Sequence, residues 1–174
     1  MATSTDLAQS VLLDGFQRIE EGVGAVLDGL TADDLRWRPG PDANPIGWLL
    51  WHLSRQQDAQ LAAVAGEDEV WTAGGWHERF ALPYDRKAHG YGQDSDEVGR
   101  FTVADPTLLS GYAAAVHDLT RRLVRGLGAE DYHRVVDPRW DPPVTLAVRL
   151  YSVLEDAAKH LGQAEYAKGM LRRR

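Results

Sequence analysis

Apolar residues recur at three- and four-residue steps along four stretches of the chain, and no stretch sustains the alternation of a strand. The first stretch runs from about Asp6 to Leu30, with Leu12, Phe16, Ile19, Val23, Val26 and Leu30 on one face. Thr31 to Asp34 then reads as an N-cap followed by acidic first-turn residues, opening one short turn before Pro39. A second helix is predicted to start at Asn44-Pro45, a capping residue followed by proline at the first helical position. It carries Ile46, Leu49, Leu50 and Leu53 and stops at Gly66. By the same logic Asp105-Pro106 starts the third helix, whose stripe is Leu108, Leu109, Tyr112, Val116, Leu119 and Leu123. The fourth runs from about Val144 to Leu171, with Leu146, Leu150, Val153, Leu154, Ala157, Leu161 and Ala164 inward.

Two long connections separate the later helices. Residues 67–104, between the second and third, are rich in Gly, Trp and Asp, and their aromatic content argues for packing onto the helices, with a short hairpin or a lid as the local form. Residues 129–143, between the third and fourth, contain Asp137-Pro138 and Asp141-Pro142-Pro143. The pattern predicts an all-α fold, a four-helix bundle occupying residues 1–174 as a single domain.

Composition narrows the function classes. The net charge of −7 argues against nucleic-acid or anionic-membrane partners, which select basic surfaces. The one basic run, Arg172-Arg173-Arg174, is a terminal, solvated one. With no cysteine there is no disulfide, thiolate nucleophile or Cys-based zinc site, so any thiol chemistry must borrow a small-molecule thiol. Met1 to Gln9 is polar and lacks an apolar signal core, and no apolar run approaches about 18 residues; a cytoplasmic location is expected.

Against that background, three polar residues fall where apolar ones belong. Asp156 and His160 are four apart on the last helix, and His160 lies about 20° from Val153 and about 40° from Ala164 around the axis, so both polar side chains aim into the bundle. His52 sits among Trp48, Leu49, Gln56 and Ala59 on the second helix. Buried imidazoles and carboxylates require partners. A metal ion suits all three, and three N and O ligands leave positions open for water or substrate. A satisfied core histidine and a hydrogen-bonded Asp–His pair fit the same spacing.

The chain also resembles the DinB-like superfamily of bundle proteins, and within it a subgroup known only as a domain of unknown function. The resemblance rests on Pro45-Ile46-Gly47-Trp48-Leu49-Leu50-Trp51-His52-Leu53, on Val70-Trp71-Thr72-Ala73-Gly74-Gly75-Trp76, on Asp137-Pro138-Arg139-Trp140-Asp141-Pro142-Pro143 and on His160-Leu161-Gly162-Gln163. It implies a three-histidine metal site, one ligand in the second helix and a His-x-x-x-His pair in the last. His52 and His160 match; Asp156 stands where the family has the middle histidine. Carboxylate oxygen is an acceptable ligand for Zn, Mn, Fe or Ni, with zinc the first expectation. The resemblance further implies a metal-dependent enzyme using a low-molecular-weight thiol such as mycothiol, an S-transferase acting on an electrophilic small molecule, and often a homodimer. A non-catalytic metal- or small-molecule-binding bundle and a metal-free structural homodimer are the alternatives.

Further candidates flank the three. Arg149, about 20° off the His160 face, is placed to bind a substrate carboxylate or to form a salt bridge with another helix. Gln56 and Gln163 lie within hydrogen-bonding reach of the two histidines along their helices, whereas Asp58 is about 120° around from His52. Trp76 is a candidate substrate contact from the long connection or a buried anchor for it; His89, His117 and His133 are expected to be exposed, and Trp140 to pack.

Overall fold

The computed structural model describes residues 3–174; Met1 and Ala2, the head of the polar opening stretch and of the 1–174 domain, lie outside the described residues. Four long helices form the bundle: α1 (Ser4–Leu27), α3 (Ile46–Ala65), α7 (Thr107–Arg125) and α8 (Leu146–Leu171). Short helices α2 (Ala32–Leu35), α4 (Val70–Ala73), α5 (Trp76–Phe80) and α6 (Ser95–Gly99) punctuate the connections. Thr3 and Thr31 each close a reciprocal capping box, with Asp6 and Asp34, and fix the starts of α1 and α2. No helix among the described residues is long and apolar enough to cross a membrane.

Two expected helix starts differ in detail. Pro45, not Asn44, is the N-cap of α3, and no side chain caps that end. At α7 the expected aspartate does act, since Asp105 Oδ1 accepts the Thr107 amide at 2.9 Å. The last helix begins at Leu146, capped by Thr145, because Val144 and Thr145 are drawn into a strand.

Side-chain pairs fix the directions of the four helices. Any Cβ at Gly15 or Gly22 would fall 2.7 and 2.4 Å from Cδ2 of Leu154 and Leu161, so α1 and α8 run parallel and in close approach. Those glycines weaken α1 locally and are what lets the two helices meet. His52 meets His160 and Gln60 meets Arg149, so α3 runs antiparallel to α8. Gln9 donates to the Leu127 carbonyl while Ile19 and Val23 face Ala113 and Val116, so α7 runs antiparallel to α1. It follows that α3 and α7, consecutive and adjacent, are parallel. Their connection must return along a helix about 30 Å long, which explains its length.

That connection contains no hairpin. It forms α4, α5 and α6, and the hairpin lies instead in the second connection. There β1 (Val135–Asp137) pairs antiparallel with β2 (Val144–Thr145), Val135 opposite Thr145 and Asp137 opposite Val144, with an irregularity between. The pair of β-branched residues at Val135-Val136 and the proline-rich turn favour a strand pair here, whereas residues 67–104 are held as short helices by buried anchors.

Candidate metal centre

Helices α3 and α8 place His52, Asp156 and His160 together. One ligand-type atom from each lies within 4.8 Å of the others. The His52 and His160 rings meet edge to face with centroids 4.7 Å apart, and His160 Nε2 stands 3.6 Å from Asp156 Oδ1. His52 is buried; the other two are half-buried, so the cluster opens to solvent on one side.

Both imidazoles are oriented by bonds at Nδ1. His52 Nδ1–H donates to the His89 carbonyl at 2.5 Å, and its ring stacks on Trp48 with centroids 4.5 Å apart and planes 10° from parallel. Trp48 is tied in turn by its Nε1–H to Gln93 Oε1 at 2.8 Å. His160 Nδ1–H donates to Gln163 Oε1 at 3.0 Å. His52 therefore presents an unprotonated Nε2 to the cluster, the tautomer that a metal ion requires, whereas His160 turns its Nε2 toward Asp156 and offers a lone pair there once its proton is displaced. Asp156 Oδ2 is buried with no hydrogen-bond partner. A carboxylate with one buried oxygen lacking a donor, beside two imidazoles in the same cluster, fits a divalent cation.

Burial, opposed by the bond to His89, pushes the His52 pKa down to about 4. Hydrogen bonding to Asp156 raises His160 above its ordinary value, and the same bond lowers Asp156. His52 is thus neutral at neutral pH. In the metal-free protein its stability contribution is present above about 6.5 and is lost as pH falls toward about 4, while that of His160 is present below about 6.5 and fades as pH rises. NMR titration should resolve one histidine near 4 and another above 6.5, and His52→Gln should reduce the loss of stability between about pH 6.5 and 4. Two titrations near the ordinary value would contradict this arrangement.

The remaining sequence candidates divide. Gln163 touches His160 as expected. Gln56 approaches His89 Nδ1 at 3.4 Å instead of His52. Asp58 faces away from the cluster: fully buried, it accepts the amides of Val70 and Trp71 and the Tyr112 hydroxyl. Trp76 is an anchor, packed against Phe80 and Tyr112 with Arg79 over its face. Arg149 bonds the neutral Gln60 Oε1 of α3 at 2.5 Å, and its ion pair is not to another helix but to Asp137 Oδ2 of the hairpin at 3.3 Å.

Three expectations about exposure are corrected. His117 is buried, and His89 is half-buried because its loop folds onto α3. Trp140 is 66% exposed at the hairpin turn, where the short strands leave it nothing to pack on. His89, Gly90 and Trp48 are the residues that the sequence reading missed as parts of the site. The glycine-flanked segment Gly90-Tyr91-Gly92 was the available signal.

The sequence pattern of the DinB superfamily matches residues 16–164. The crystal structure of a conserved protein from Enterococcus faecalis resembles this fold with a TM-score of 0.89 at 30% sequence identity, over 100% of each chain. No functionally curated protein matches.

Proposed function

Because the chain belongs to the DinB superfamily, we propose that it is a divalent-metal-dependent enzyme whose ion is held by His52, Asp156 and His160. The finer reading is a low-molecular-weight-thiol S-transferase acting on an electrophilic small molecule. The observation that carries the metal reading is the donor set itself: two imidazoles oriented by bonds at Nδ1 and a carboxylate with one buried oxygen lacking a donor, with one ligand-type atom of each within 4.8 Å of the others. When bound, such an ion acts as a Lewis acid that lowers the pKa of a thiol or water. Zinc is the first expectation, and the carboxylate widens the choice to Mn, Fe or Ni.

The chain's own residues supply orientation and shielding. The His89 carbonyl and Trp48 lock the plane of His52, and Gln163 locks that of His160. The half-exposed side of Asp156 leaves a route for a small molecule. The absence of cysteine accords with a borrowed thiol.

Protein purified without a metal-affinity tag is expected to carry, or to take up on titration, about one equivalent of transition metal. His160→Ala should weaken zinc binding at least 100-fold while leaving the circular-dichroism spectrum helical. A cobalt-substituted sample should change its visible spectrum on adding a thiol and should conjugate a model electrophile. Less than a tenth of an equivalent, with no uptake, would overturn the metal reading and favour an Asp156–His160 hydrogen-bonded pair. Uptake without thiol response would leave a binding bundle and overturn the transferase.

A further inference from the structure

A second feature adjoins the cluster. Between the C-terminal half of α3, the N-terminal half of α8 and β1 lies an open cleft of about 620 Å³, within the usual range for small-molecule sites. Its charge is opposite to that of the protein. Arg134, Arg139 and Arg149 line it against a single carboxylate, Asp137, in a chain whose net charge is −7. Asp137 is already engaged by Arg139, which donates from Nε at 2.9 Å and from Nη2 at 2.8 Å. Arg149 shares only the Oδ2 that Arg139 also holds, and its other nitrogen bonds the neutral Gln60. Its guanidinium is therefore fixed in place, three-quarters buried and only partly compensated. Between the charges the lining is mixed, Ala59, Ala63, Val64 and Val136 forming its apolar strip beside Gln56, Gln60 and His89.

The cleft and the cluster lie along the same pair of helices, α3 and α8. His52, Gln56 and Gln60 succeed one another at four-residue steps on α3; His52 meets His160, and Gln60 bonds Arg149, on the antiparallel α8. From His52 to Gln60 is about 12 Å along the helix. His89 joins the two ends, its ring lining the cleft and its carbonyl holding His52.

We propose that this cleft binds the carboxylate of a small organic acid, with Arg149 as the anchoring residue. The acid's apolar body lies along Ala59 and Ala63, and its far end extends toward His52 and His160. The planar guanidinium fork matches a carboxylate, and the apolar strip of Ala59, Ala63, Val64 and Val136 suits a molecule with a hydrocarbon body. The proposal depends on the metal-dependent reading for where the bound acid reacts, not for whether it binds.

The test therefore begins with chelator-treated protein and hexanoate as probe, followed by amide NMR. Hexanoate should shift the signals of Gln56, Gln60 and Val136, and Arg149→Gln should weaken it at least tenfold. Arg149→Lys should restore only part of the affinity, because an ammonium lacks the fork. Since Arg149 also steadies the hairpin through Asp137, Ala63→Glu provides a second variant at an exposed helix position, where a carboxylate should repel the probe to a similar extent. Hexylamine or hexanol binding as well as hexanoate, hexyl phosphate displacing it with much higher affinity, or unchanged binding in both variants would overturn the proposal. Zinc titration of Arg149→Gln reports on the cluster separately, and its stoichiometry is expected to match the unaltered protein.

Discussion

Replacing Asp58 by alanine should destabilise the protein by about 3–5 kcal/mol, the usual consequence of removing one partner of a buried charged pair. Its side chain is fully buried on α3. Oδ1 accepts the Val70 amide at 2.8 Å; Oδ2 accepts the Trp71 amide at 2.8 Å and the Tyr112 hydroxyl at 2.7 Å. Arg55, also fully buried, stands 3.5 Å from the same oxygen. Burial drives the Asp58 carboxyl upward, and these donors are what make an ionised aspartate tolerable there. Without the carboxylate, two amides and a hydroxyl lose their acceptor and Arg55 loses its buried counter-charge, keeping Glu69, the Ala88 carbonyl and a long bond to the Tyr112 hydroxyl. At the roughly 2–4 °C per kcal/mol typical of a domain of this size, the thermal midpoint should fall by about 6–20 °C. Asp58→Asn should lose less, because the amide oxygen still serves one donor. A fall of under 2 °C for Asp58→Ala would mean that the bonds at α4 contribute little. The consequence reaches the metal cluster, because Asp58 and Arg55 together pin the segment that ends at His89.

This anchoring marks the boundary of what the sequence discloses. Helices declare themselves because their stripes are local: Phe16, Ile19, Val23 and Val26 are all buried on one face, as their spacing predicts. Likewise Asp156 and His160 share a face by virtue of being four apart, and His52 stood out as a polar residue among apolar neighbours. Each reading needs only the helical repeat. The superfamily's residues then supplied the pairing of α3 with α8, which periodicity cannot.

What escaped depends on contacts between distant positions. Asp58 looked misplaced for the metal, correctly, but nothing in the spacing showed that it would cap the amides of residues twelve and thirteen positions later. His89 looked solitary because its partner is 37 positions away and the contact is made by its backbone carbonyl, which carries no sequence signature. The cleft charge was equally hidden. Arg149 was legible as a salt-bridge candidate, but its acceptor, Asp137, comes from a strand pair too short to show alternation.

The same reasoning makes Gly90 the most sensitive backbone position at the site. Gly90→Ala should destabilise the protein by about 3–5 kcal/mol, through left-handed strain and overpacking together. Gly90 has φ of +94°, a conformation that alanine adopts only with strain. A Cβ there would lie 2.5 Å from His52 Nδ1, 2.9 Å from Trp48 Cζ2 and 3.2 Å from Trp51 Cζ3. None of those atoms is the end of a flexible chain; all belong to rings already packed in the core. The loop must therefore retreat, and the His89 carbonyl with it, so His52 loses the acceptor that fixes its tautomer and plane. Zinc affinity should fall about 10–100-fold beyond any loss of folded protein, the usual effect of removing a hydrogen bond that orients a ligating histidine. The two effects separate by measurement: denaturant unfolding of metal-free protein reads the first, and metal titration well below the unfolding midpoint reads the second. Gly92→Ala is the control, since that residue also has a positive φ but nothing lies within 4 Å of its added Cβ. Gly92→Ala should lose stability through backbone strain alone, about 1–2 kcal/mol, and keep its metal affinity. Equal losses of metal affinity in the two variants would show that loop strain, not the approach of His89 to His52, governs the site.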